Sequence, residues 1–208
     1  MPLTTDPTCD LVLYTHPWSR GQIARWMLEE TGAPYRHVVL DYATTMKAPE
    51  YLAINPMGKV PVLDHDGVVV TETAAICCHL ADAFPAAGLA PPIGDRQRGP
   101  YLKWMFFGPT CLEAAGVDRM QKRAAGNPAS LGYGDLERVV ETVVRSLAPG
   151  PWLLGESFSA ADIVIGTGLL WGRSAETIPD RPEIAGYLER LEARSALQRA
   201  TAKDQAGT

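Results

Sequence analysis

Apolar residues fall in short, dense runs through the first eighty-odd positions and at helical spacing further on. Leu11-Val12-Leu13-Tyr14 is a compact run closed by Pro17, with the length and composition of a buried strand. From Ser19 to Glu30 the positions Ile23, Met27 and Leu28 follow a helical period, and Gly32 with Pro34 supplies the stop. Ser19-Arg20-Gly21-Gln22 places a hydroxyl three residues before an amide, the pattern of a capping box. His37-Val38-Val39-Leu40 reads as a second strand, and the order strand, helix, strand implies a right-handed crossover and a parallel pair. A short helix follows over Lys47 to Ile54. Val60-Pro61-Val62-Leu63 and Val68-Val69-Val70 flank the turn-forming Asp64-His65-Asp66-Gly67, which predicts an antiparallel hairpin. A helix from Glu72 to Ala83 completes a βαβ unit followed by ββα.

The segment Phe84 to Gly94 holds Pro85, Pro91 and Pro92 without periodicity and reads as a linker. Beyond it only helical patterns occur, over roughly 95–125, 134–148, 160–174 and 182–203. Ser159-Ala160-Ala161-Asp162 is a second capping box, with Phe158 placed to staple onto Ile163. The expected organisation is an α/β domain over 1–84, a linker over 85–94 and an all-helical domain over 95–208.

Composition narrows the function. The 208 residues carry a net charge of -5, and the Lys and Arg are scattered, which argues against a nucleic-acid partner because phosphate recognition needs clustered cations. No apolar stretch approaches the length of a membrane span, and the first ten residues lack the basic-then-apolar order of a secretory signal. Cys9, Cys77, Cys78 and Cys111 show no CxxC spacing, so neither a dithiol redox site nor a zinc site is expected, and a reducing cytoplasm fits best.

Three stretches together resemble the cytosolic glutathione transferase superfamily, in particular its bacterial, theta-like serine type. They are Leu13-Tyr14 with Ser19-Arg20-Gly21 and Arg25-Trp26-Met27-Leu28-Glu29-Glu30; Asn55-Pro56-Met57-Gly58-Lys59-Val60-Pro61-Val62-Leu63; and Thr71-Glu72-Thr73-Ala74-Ala75-Ile76. The resemblance implies a thioredoxin-like N-terminal domain, a helical C-terminal domain, glutathione as co-substrate, no metal, and a two-fold homodimer.

It also implies roles. A cis bond before Pro61 turns the Val60 backbone toward the cysteinyl part of an extended tripeptide, as an added edge strand would pair; read alone, Val60-Pro61 is equally an edge-strand proline. Glu72 and Thr73 open a helix whose N–H groups attract a carboxylate, with Glu72 available to the γ-glutamyl ammonium; read alone, they are an ordinary first turn. Lys47 and Lys59 are candidates for the glycyl carboxylate, against the usual role of lysine as a solvated charge. Glutathione's thiol is mostly protonated near neutral pH, so a donor must stabilise the thiolate. Ser19 is the first candidate, at the position where theta-like transferases carry a serine, and the competing role is capping its helix. Tyr14 is the alternative and Arg20 a supporting charge, while His16 is a less favoured base. Cysteine is absent from His16-Pro17-Trp18-Ser19, where thioredoxins carry CPxC, so disulfide exchange through an enzyme thiol is not expected. Trp18, Tyr101, Trp104, Phe106, Thr110 and Glu113 are available to line a second-substrate pocket, although aromatics at helical spacing are more often core. The competing functions are a non-catalytic binding or regulatory module and a disulfide reductase acting through two glutathiones.

Overall fold

The computed structural model describes residues 10–124 and 126–206; Cys9 lies outside the described residues. The chain divides into two compact units, one running to Leu89 and resuming at Arg194, the other spanning Ala90–Ala193.

In the first unit a four-stranded sheet has the order β2-β1-β3-β4, with β1 (Leu11–Thr15), β2 (Arg36–Val39), β3 (Val62–His65) and β4 (Val68–Thr71). β1 pairs parallel with β2 and antiparallel with β3, and β3 pairs antiparallel with β4. This is the thioredoxin-like arrangement expected from βαβ followed by ββα. Leu13 and Leu63 face each other in register and are both fully buried. The hairpin turns at Asp66 and Gly67, both with positive φ (53° and 82°), the conformation that matches the twist of two-residue hairpins. Helix α1 (Gly21–Thr31) buries Ile23, Trp26, Met27 and Leu28 and ends at Gly32 in the left-handed conformation. A 3-10 turn (Thr45–Lys47) and α2 (Pro49–Ile54) follow β2, and α3 (Thr73–Ala83) follows β4.

The first capping box does not form. Arg20 occupies the N-cap of α1 without a side-chain cap, because the Ser19 hydroxyl is used in the turn before the helix.

The second unit is helical: α4 (Arg98–Phe107), α5 (Ala114–Met120), α6 (Leu136–Ser146), α7 (Ala160–Ser174) and α8 (Pro182–Glu192). The single helix expected over 95–125 is interrupted by a π-helical turn at Gly108–Glu113. Pro109 has no N–H to give to the carbonyl four residues back, so the regular ladder cannot run through it. Gly108 lets α7 approach closely there; a Cβ on it would meet Val164 Cγ1 at 2.5 Å. The second capping box does form. The Asp162 carboxylate receives the Ser159 N–H and the Leu153 N–H, both at 2.9 Å, and the Tyr187 hydroxyl at 3.0 Å. The Phe158 ring meets Trp152 edge-on at 5.0 Å.

The helix expected over 182–203 is two helices, α8 and α9 (Ser195–Ala206), and α9 belongs to the first unit rather than to the helical one. Charge pairing with α1 decides this. Arg25 of α1, 1% exposed, donates from Nε to Asp204 Oδ1 at 2.7 Å. The Glu29 carboxylate receives Arg199 at 3.0 Å, Lys203 at 2.5 Å and the Tyr35 hydroxyl at 2.7 Å, while Arg194 grips Glu30 with both arms of its guanidinium.

Candidate functional site

The turn from β1 into α1 is tied at every residue. Ser19 Oγ donates to the His16 carbonyl at 2.6 Å and accepts from the Gly21 N–H at 2.9 Å. Gln22 donates its amide to the Pro17 carbonyl at 2.6 Å, and the Tyr42 hydroxyl donates to the Trp18 carbonyl at 2.6 Å. His16 Nδ1 accepts the Trp18 N–H at 3.1 Å, which assigns the ring proton to Nε2 when the imidazole is neutral. The half-buried Ser19 thus stands at the amino end of α1, where a developing negative charge is favoured. Its own proton points at a backbone carbonyl. Tyr14 is half-buried at the end of β1, packed against the cluster of Leu40, Met46, Tyr51 and Val62, with its ring 5.8 Å from that of Tyr51. Arg20 is exposed at the start of the helix.

The Asn55–Pro61 loop is shaped from below by α2. Tyr51 donates its hydroxyl to the Lys59 carbonyl at 2.6 Å, and Asn55 donates its amide to the same oxygen at 2.9 Å. Burial disfavours the phenolate and pushes the Tyr51 pKa up to about 12, which keeps this donor protonated at any working pH. Gly58 adopts φ +56°, and a side chain there would strike Lys47 Nζ and the Met46 carbonyl, both at 2.9 Å. Lys47 Nζ donates to the Gly58 carbonyl at 2.7 Å, which brings its charge to the loop that carries the exposed Lys59.

The bond between Val60 and Pro61 is cis. No hydrogen bond among the described residues uses the N–H or C=O of Val60, just before β3 begins. A residue with both main-chain groups uncommitted beside an antiparallel strand fits an extended peptide. Glu72 is exposed and takes φ 66°, ψ 119°, an uncommon conformation for a residue with a side chain, immediately before Thr73 opens α3. Such outliers cost about 1–3 kcal/mol and cluster at ligand clamps. The sequence singles out Val60, Pro61, Glu72 and Thr73 as candidates. That reading misses Tyr51 and gives Asn55 no role; their spacing of one helical turn was the available signal.

Tyr101 and Trp104 are 0% and 2% exposed in the core of the second unit, which corrects their assignment to an open pocket. Phe106 is 64% exposed, and Thr110 is exposed with its hydroxyl donated back to the Phe106 carbonyl at 2.8 Å. Glu113 is half-buried at the end of the π-helical turn, and Trp18, in the first unit, is 75% exposed.

Among the described residues no His, Cys, Asp and Glu cluster could hold a metal ion, and no helix is long and apolar enough to cross a membrane.

Comparison with known proteins identifies the family. Residues 17–83 match the family model described as the glutathione S-transferase N-terminal domain. The chain is 31% identical to glutathione S-transferase GST-4.5 of Xanthomonas campestris over 170 residues, covering 78% of this chain and 83% of that one. Among solved structures, a glutathione transferase from Methylococcus capsulatus superposes with a TM-score of 0.79 at 33% identity, covering 94% of this chain and 99% of that one. A sphingomonad glutathione S-transferase complexed with glutathione gives 0.78 at 28% identity, covering 93% and 98%. With the β2-β1-β3-β4 sheet, the cis Val60-Pro61 bond and these likenesses together, the chain belongs to the glutathione S-transferase family.

Proposed function

We propose that this chain is a glutathione transferase that holds glutathione extended along β3 and activates its thiol for attack on a small electrophilic carbon or a peroxide. The observation that carries the reading is the Val60 main chain, uncommitted beside a cis Pro61 and next to β3. Its N–H and C=O pair with the cysteinyl residue. Thr73 and the amino end of α3 take the γ-glutamyl carboxylate, and Glu72 takes the ammonium. Lys47 and Lys59 serve the glycyl carboxylate.

Ser19 stabilises the thiolate by turning its O–H away from the His16 carbonyl and toward sulfur, helped by the dipole of α1. Tyr14 is the alternative donor and Arg20 adds positive charge. The proton leaves to solvent; sulfur then bonds to the electrophilic carbon as its leaving group departs with the bonding pair.

The second substrate is a small electrophile. The working form is a cytoplasmic two-fold homodimer. Supporting a dimer, β4 lies at the sheet edge with Val68 and Val69 45% and 44% exposed, and apolar edge strands are normally covered.

Retention on glutathione-agarose, followed by assay with a chlorinated aromatic acceptor, tests the function. Binding with turnover is expected; failure to bind sinks the reading, and binding without turnover favours a binding module. Ser19→Ala should lower kcat about 100-fold or more with KM for glutathione nearly unchanged. If Tyr14→Phe does this instead, Tyr14 is the donor.

A further inference from the structure

Thr15, the last residue of β1, is 0% exposed, and its hydroxyl makes no hydrogen bond. Its carbonyl is used, accepting the Leu40 N–H at 2.9 Å; only the side-chain group is orphaned. Leaving a buried hydroxyl unpaired is unfavourable, and valine would fill the same shape without that penalty. A polar group kept at such a cost is expected where it has work to do in another state of the protein.

The surroundings identify that state. Both Thr15 Oγ1 and Ser19 Oγ lie close to the point where a side chain on Gly21 would begin, at 2.0 and 2.9 Å respectively. They share the small space that Gly21 leaves open at the amino end of α1. A hydroxyl oxygen can accept two hydrogen bonds. Ser19 Oγ already accepts the Gly21 N–H at 2.9 Å, and gives its single proton to the His16 carbonyl at 2.6 Å. Its second acceptor position is open to a donor close by.

We propose that Thr15 is a positioning residue for thiol activation, donating its hydroxyl proton to Ser19 Oγ when Ser19 turns its own proton from His16 to the glutathione sulfur. This rests on the reading of Ser19 as the thiol-activating group. A small rotation of the Ser19 side chain closes the gap, as catalytic hydrogen bonds commonly tighten only with substrate bound. The relay then runs from the Thr15 hydroxyl to Ser19 Oγ and from the Ser19 hydroxyl to the thiolate. An oxygen that accepts two donors is a stronger donor itself, so the chain favours the thiolate more than Ser19 alone does. No bond is made or broken; a buried orphan in the free enzyme becomes satisfied in the complex.

The test uses full-length Thr15→Val, Thr15→Ser and Ser19→Ala proteins, with Thr15→Ala to remove the hydroxyl should the valine methyl crowd Gly21. Three quantities are measured: thermal unfolding, titration of enzyme-bound glutathione by thiolate ultraviolet absorbance, and kcat with KM for glutathione. Thr15→Val should unfold at the same or a higher temperature than the wild type. In it the bound thiol should titrate about half to one pH unit higher, and kcat should fall roughly three- to tenfold at unchanged KM, the worth of one buried hydrogen bond. Thr15→Ser should restore both, and adding Thr15→Val to Ser19→Ala should have no further effect on the titration. A thiol titration unchanged in Thr15→Val and Thr15→Ala, while Ser19→Ala shifts it, overturns the role of Thr15 alone. A titration unchanged in Ser19→Ala overturns the serine reading and this inference with it.

Discussion

The Cβ of an alanine at position 21 would sit 2.0 Å from Thr15 Oγ1, too close for any real contact, and the neighbour is the short branch of a buried, β-branched residue. Gly21→Ala should therefore push α1 off the end of β1 and destabilise the protein by about 1–3 kcal/mol in urea unfolding, with a loss of turnover as the Ser19 turn moves. Tyr51 offers a milder case. Removing its hydroxyl in Tyr51→Phe leaves the Lys59 carbonyl with only the Asn55 amide. The expected cost is about 1 kcal/mol of stability, and, on the proposed reading of the loop before Pro61 as a binding element, KM for glutathione should rise more than kcat falls. At this scale the sequence made Ser19 legible as a hydroxyl at a strand-to-helix junction. It could not say where the hydroxyl points, because the His16 carbonyl and the Gly21 N–H compete for it through backbone geometry alone.

Among elements, two similar capping patterns had different outcomes. Ser159 and Asp162 close their box on α7, whereas Ser19 and Gln22 bond into the preceding turn. Four-letter patterns cannot separate these, since the local alternatives differ by one or two hydrogen bonds. Asp162→Ala removes an acceptor for two N–H groups and the Tyr187 hydroxyl inside the second unit, and should lower unfolding free energy by about 2 kcal/mol or more.

The contact between β3 and α3 adds a pH dependence. His79 Nε2 lies 2.9 Å from Nδ1 of the fully buried His65, whose ring stacks on Phe84 and whose Nε2 lies 3.9 Å from Asp66 Oδ2. Burial, then the neighbouring His65, hold His79 below the ordinary imidazole value of 6.5, and Asp82 opposes them. The folded protein thus takes this proton less readily than the unfolded chain does. That contribution to stability is intact at higher pH, begins to fail as pH drops through about 6.5, and is gone below the folded value. Unfolding free energies measured from about pH 8 to about pH 5 should fall, and His79→Gln should flatten the slope.

For the molecule as a whole, the fate of α9 matters most. Asp204→Ala strands the Arg25 guanidinium, 1% exposed, without its carboxylate, and breaking a buried pair from one side costs about 3–5 kcal/mol. Arg36→Ala, whose partner Asp10 is largely exposed, should cost about 1 kcal/mol or less. Hydrogen exchange in α1 should rise in the first variant and stay unchanged in the second; equal effects would mean that α9 does not hold α1.

The sequence by itself determined the four strands, the parallel pairing of β1 with β2 and the antiparallel hairpin of β3 with β4, because strand runs and turn residues act over a few neighbouring residues. Only the tertiary structure decided that Arg194, Arg199, Lys203 and Asp204 return to α1. The sequence runs a helical pattern through that segment; Ser195-Ala196-Leu197-Gln198 carries the hydroxyl-to-amide spacing of a helix start, but nothing local says which unit the second helix joins. Which charges become buried depends on a partner helix more than 160 residues away, and no local pattern carries that information.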